Sequence, residues 1–263
     1  MDLGLKGKVA LVAAASKGLG RAVAEELAAE GASLLLCARG DEALQETCAA
    51  IAAAHGVPVL GLATDVAEPG AVARLVEAGL DRFGRIDILV TNAGGPPAGT
   101  FDTLNAAQWQ AATSLLLTSV VELTRAVLPG MKAQGWGRIL NITSISVKQP
   151  VENLMLSNSL RAAVTGMART LATEVAAQGI TVNNILPGYT RTERVVGLAD
   201  ATAAKEGISA ADATARWESQ IPMRRLGEPR EFAALAAFLC SERASYITGT
   251  SIPVDGGWIR GLL

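Results

Sequence analysis

Phenols and imidazoles are scarce in this chain. Its 263 residues include two tyrosines, Tyr189 and Tyr246, and one histidine, His55. A tyrosine acid therefore has only two possible sources. His55 has no ligand cluster around it, so no structural metal is expected. Cys37, Cys48 and Cys240 form neither a paired set nor a CxxC spacing. This excludes a disulfide framework and fits reduced thiols in a cytoplasmic protein. No apolar run reaches the roughly 20 residues of a membrane helix, and the N-terminus lacks a signal-peptide pattern. Long basic runs are also missing and the formal charge is -2, which argues against nucleic acid as the ligand. A few local donors would still suffice for a phosphorylated small molecule.

What is present is apolar and alternating. Half the residues are apolar, enough for one folded domain over 1–263. Lys8–Ala14, Ser33–Ala38, Val57–Asp65, Ile86–Thr91, Gly137–Ile142 and Ile180–Ile185 read as buried strands separated by helical stretches. That rhythm predicts an α/β fold with a parallel sheet covered on both faces, doubly wound by the handedness rule. The stretches Ala106–Gln134 and Asn153–Gln178 are apolar on more than one face, which predicts subunit packing. Residues 191–228 break the alternation and are expected to overhang the carboxyl ends of the strands as a substrate-entrance loop with short helices.

Ser16-Lys17-Gly18-Leu19-Gly20 follows the first strand and opens a helix. Gly18 and Gly20 allow close approach, and the first helical amides are placed to receive phosphate. Lys17 adds positive charge. Arg39 stands just beyond the second strand, where a carboxylate would otherwise hold a ribose hydroxyl, which favours NADP(H) over NAD(H). Asp65 and Val66 are candidates for the adenine. Asn92, Ala93 and Gly94 offer a floor for ribose and base, Pro187 and Gly188 approach the nicotinamide, and Thr192 its carboxamide.

These segments, with GRILNITS at Gly137–Ser144 and YITGTSIPVDGG at Tyr246–Gly257, resemble the short-chain dehydrogenase/reductase family over about residues 5–258. The similarity is greatest to its 3-oxoacyl-[acyl-carrier-protein] reductase branch. The resemblance implies a Rossmann-like, three-layer fold with a mostly parallel seven-stranded sheet, hydride transfer at its carboxyl edge, and a homotetramer. It also implies a small carbonyl or acyl-thioester substrate. One departure lies in the glycine segment, where Ala13-Ala14 stands in place of the usual Thr-Gly. At positive φ the Ala14 methyl would cost about 1–2 kcal/mol; in a standard conformation it would cost nothing.

In the family a serine polarises the carbonyl and a tyrosine donates the proton. A lysine four residues on holds the ribose and tunes that tyrosine, while an asparagine on the preceding helix positions a relay water. Ser144 matches the serine. The tyrosine position holds Ser157, the lysine position Arg161 and the asparagine position Leu116. Serine is a far weaker acid than phenol. Arg161 supplies charge and ribose contacts but shuttles protons poorly. Tyr189 in the nicotinamide loop and Lys148 after Ser144 are the substitute donors to weigh, against packing and surface roles. Glu152, Asn153, Asn158 and Ser159 lie in the same region, and the last three offer only ligand positioning. Arg224 and Arg225 suit either an acidic carrier-protein surface or internal salt bridges. Two readings follow: an NADP(H)-dependent reductase with an altered proton route, using Ser144 with Ser157, water or Lys148, and a weak or inactive homologue acting as nucleotide sensor or scaffold.

Overall fold

The computed structural model describes residues 2–262. Among them, seven strands form one parallel sheet in the order β3-β2-β1-β4-β5-β6-β7. They are β1 (Val9–Ala13), β2 (Ser33–Ala38), β3 (Val59–Ala63), β4 (Ile88–Thr91), β5 (Gly137–Ile142), β6 (Ile180–Pro187) and β7 (Ser251–Val254). Every residue of β1, β4 and β5 is buried, as a sheet covered on both faces requires. The strand order reverses between β1 and β4, and this opens a crevice at their carboxyl ends.

On one face lie α1 (Gly18–Ala29), α2 (Asp41–His55) and α9 (Pro229–Leu239). Phe232 of α9 is fully buried there, a side chain whose burial contributes about 1.5–3 kcal/mol. The opposite face carries α3 (Ala71–Phe83), α5 (Ser119–Gln134) and α6 (Met155–Val175) over Leu11, Leu35, Leu89 and Val182. These layers establish the doubly wound Rossmann-like arrangement.

The apolar stretch at Ala106–Gln134 is not one uniform helix. α4 (Ala106–Thr113) starts from an Asn105 cap and passes through a π-helical turn at Ser114–Thr118 into α5. By length and hydropathy the whole stretch would suffice to cross a membrane. Here its Leu116, Val120, Leu123, Val127 and Met131 are buried in the core layers. Residues 191–228 hold two helices, α7 (Glu193–Glu206) and α8 (Ala210–Gln220), of 14 and 11 residues, where a loop with short helices is expected. A bridge between Thr190 and Gly227 pins the two ends of this segment together. Arg225 pairs with Glu231 at 2.6 Å, so this arginine is held in the internal salt bridge. Arg224 donates to the Ser219 carbonyl.

Candidate active site

The crevice begins with a backbone turn that tolerates no larger residue. A Cβ at Gly20 would stand 2.3 Å from the Ala14 carbonyl oxygen, and Gly18 takes φ +59°. Thr47 of α2 secures the turn by donating to the Ser16 carbonyl at 2.9 Å. Ala14 itself adopts φ 51°, so the strained alternative for this alanine is the one realised. These features match a phosphate cradle: a close-approach glycine and free amides at the start of α1.

Lys17 departs from the simple expectation. Its ammonium reaches Glu193 at 2.7 Å, so its charge is offset across the crevice. Arg39 is exposed beyond β2 and belongs to no ion pair among the described residues, which leaves it available for a 2′-phosphate. Asp65 and Val66 follow β3 on the same sheet edge, where Asp65 accepts the Ala67 amide at 3.0 Å. The residues fit an NADP-type dinucleotide along this edge.

Leu19, Asn92, Ala93, Pro187, Gly188 and Thr192 open onto one cavity of about 200 Å³ together with Ser144, Ser157 and Arg161. The candidate nucleotide and reaction residues thus share a wall. Gly94 is exposed beside it, and Gly188 is further constrained because a Cβ there would approach Asp255 Cα at 2.7 Å. Ser144 follows β5 by two residues and accepts the Ser146 amide at 3.1 Å, which leaves its O–H free to point elsewhere.

Ser157 and Arg161 lie one turn apart on α6. Arg161 Nε donates to Ser157 Oγ at 3.3 Å, and one of its terminal nitrogens donates to the Ile142 carbonyl at 2.9 Å. Burial first, and the charge of Arg194 second, push its guanidinium down to about 10. It stays cationic at neutral pH. Leu116 is buried in the π-helical turn and meets Arg161 and Asn92 around a small void below the main cavity. A π-turn inside a helix often marks a functional position; here it presents an apolar side chain.

The substitute donors fare differently. Tyr189 lines the cavity, but its ring stacks on Trp217 with centroids 5.1 Å apart and meets Trp258 edge-on at 6.2 Å. Burial raises its pKa, making it a weaker acid. Lys148 and Glu152 are exposed and outside the cavity wall, and Asn158 is tied to the Val151 carbonyl at 2.9 Å. Ser159 is exposed, and Asn153 adopts φ 59° in the loop.

A profile of the family described as Enoyl-(Acyl carrier protein) reductase matches residues 13–259. The chain belongs to the short-chain dehydrogenase/reductase family. Its relatives include the 3-oxoacyl-[acyl-carrier-protein] reductase FabG of Vibrio cholerae, 36% identical over 97% of this chain and 98% of that protein. Among solved short-chain reductases, L-sorbose reductase from Gluconobacter frateurii, complexed with NADPH and L-sorbose, superposes with a TM-score of 0.96. It is 38% identical and both chains are covered completely. YwfH, an NADPH-dependent reductase involved in bacilysin biosynthesis, has a TM-score of 0.93 at 32% identity, covering 97% of this chain and 99% of its own. The expectation of NADP(H) over NAD(H) agrees with these relatives.

Two contributors escaped sequence reasoning. Arg194, the second residue of α7, lines the cavity. A buried polar ladder also runs beneath the site. Thr91 donates to Asn141 at 2.8 Å, Asn141 to Asn184 at 3.1 Å, and Asn184 to Ser251 at 3.1 Å. The motif GRILNI contained Asn141, but only sheet register shows its partners.

Proposed function

We propose that this protein is an NADP(H)-dependent reductase of a small carbonyl or acyl-thioester compound, working without a tyrosine acid. The observation that carries this reading is the single cavity wall joining Leu19, Asn92 and Thr192 to Ser144, Ser157 and Arg161. Arg39, the amides of α1 and Thr192 hold the dinucleotide, with Arg161 beside its ribose. When bound, NADPH supplies the hydride. Ser144 donates a hydrogen bond to the carbonyl oxygen, and Arg161 stabilises the negative charge that develops there. Because Arg161 Nε already donates to Ser157 Oγ, the serine's own O–H is left to face another acceptor. Ser157 is thus the group that passes a proton to the product oxygen, resupplied from solvent. Holding the reactants together supports hydride transfer even with a weak acid.

A cytoplasmic setting and a homotetramer belong to the same proposal. The free cysteines are buried, and the outer face of α6 exposes Ala162, Ala163 and Gly166, with open space where a Cβ on Gly166 would stand.

The test follows NADPH absorbance with 3-oxoacyl thioesters, 3-oxo acids, small ketones and quinones. At least one should be reduced, and Ser144→Ala should lower kcat by about 100-fold or more with little change in NADPH binding. Saturable NADP(H) binding with no turnover on any of them would replace the reductase with a nucleotide sensor. No dinucleotide binding at millimolar concentration would leave a scaffold.

A further inference from the structure

The cavity concentrates positive charge with nothing to balance it. Arg161 uses one N–H on Ser157 and one on Ile142, leaving three of a guanidinium's five donors without a protein partner. Arg194 makes no side-chain hydrogen bond or ion pair among the described residues; the neighbouring Glu193 is taken by Lys17. The Arg194 guanidinium rests against the loop after β4, 1.8 Å from where a Cβ on Gly95 would stand. Arg194 also lies close enough to lower the Arg161 pKa by its charge. No Asp or Glu lines the cavity.

We propose that Arg161 and Arg194 together form a receptor for a carboxylate, so that the substrate is a free oxo acid rather than a neutral ketone or thioester. Two guanidiniums facing one cavity repel each other, and an oxyanion between them removes that repulsion while accepting forked hydrogen bonds. Both donors are available to it. Arg161 is held at the Ile142 carbonyl, while Arg194 is free to swing with its exposed stem. The dinucleotide diphosphate is the other oxyanion in reach, but its cradle is the Gly18–Gly20 turn, which abuts Thr192. Arg194 lies two residues further along α7, against Gly95 and toward Arg161. That places it on the substrate side.

This inference rests on the reductase reading for its nucleotide, and the experiment separates the two. Protein saturated with NADP⁺, which cannot reduce a ketone, is titrated calorimetrically with acetoacetate and with its neutral methyl ester. Acetoacetate should bind at least about tenfold more tightly. Arg194→Met should abolish the preference, Arg194→Lys should retain part of it, and NADP⁺ affinity should change less than about threefold in both. Equal binding of acid and ester by the wild type overturns the proposal. So does an Arg194→Met variant that weakens NADP⁺ tenfold and keeps the preference, because the oxyanion is then the cofactor's diphosphate. If NADP⁺ fails to bind the wild type, the reductase reading fails by itself. The same acid and ester titrations without nucleotide then decide the carboxylate site.

Discussion

Ala14 shows what one methyl group does in a turn with no slack. Its φ of 51° is a left-handed conformation that most residues avoid, and its carbonyl oxygen is the atom against which Gly20 packs. The conformation is imposed by that contact and by the Ala15 amide bond to Cys37. Ala14→Gly removes the penalty while keeping both contacts. Denaturant unfolding should show the variant more stable by about 1 kcal/mol after allowing for glycine's extra unfolded-state entropy. A less stable variant would mean that the turn does not hold Ala14 in this conformation. Ser157 and Arg161 make the complementary point. Their departure from a phenol–ammonium pair could be read by counting along the chain, but their mutual hydrogen bond and the anchor on Ile142 could not.

At the scale of elements, the polar ladder is the least expected feature of the sheet. Thr91, Asn141, Asn184 and Ser251 sit at mutually paired positions of β4, β5, β6 and β7, so parallel register brings four side chains into one row. Thr91, Asn141 and Asn184 are almost fully buried, and an unsatisfied group there costs about 1–3 kcal/mol. Asn141→Ala strips partners from both Thr91 and Asn184. We predict a destabilisation of about 2–3 kcal/mol, seen as a lower urea midpoint with an unchanged slope. A loss below about 0.5 kcal/mol would show the row to be incidental. Six of the seven strands were legible as short apolar runs, with ends shifted by a residue or two; β7 followed only from the family resemblance. The break at Ser114–Thr118 was not, because its residues read as ordinary apolar helix. The helices of residues 191–228 were legible in kind but not in bounds, since that segment lacks a strong apolar stripe.

For the whole molecule, the order of strands decides where ligand goes. The reversal between β1 and β4 sets the Ser16–Gly20 turn beside Asn92, and β2 delivers Arg39 to the same edge. A ligand that binds only the folded chain raises its stability, by about 2.7 kcal/mol at a concentration 100 times Kd. NADP⁺ at that level should raise Tm by roughly 5–10 °C, and NAD⁺ at the same concentration by clearly less. Arg39→Ala should bring the two shifts together. A wild-type shift that is larger with NAD⁺ would contradict the 2′-phosphate role of Arg39.

By itself the sequence determined the alternating architecture, the glycine-bearing turn after the first strand and a serine and an arginine at Ser157 and Arg161. Each is written in local periodicity, in glycine spacing or in a count of residue types. Tertiary structure alone decided that Ala14 is strained, that Lys17 is neutralised by Glu193, and that Arg194 joins Arg161 in one cavity. Those outcomes depend on backbone angle and on side chains brought together from distant parts of the chain. Strand order and packing place such groups within a few ångströms, and only at that range do their charges and hydrogen bonds act on one another.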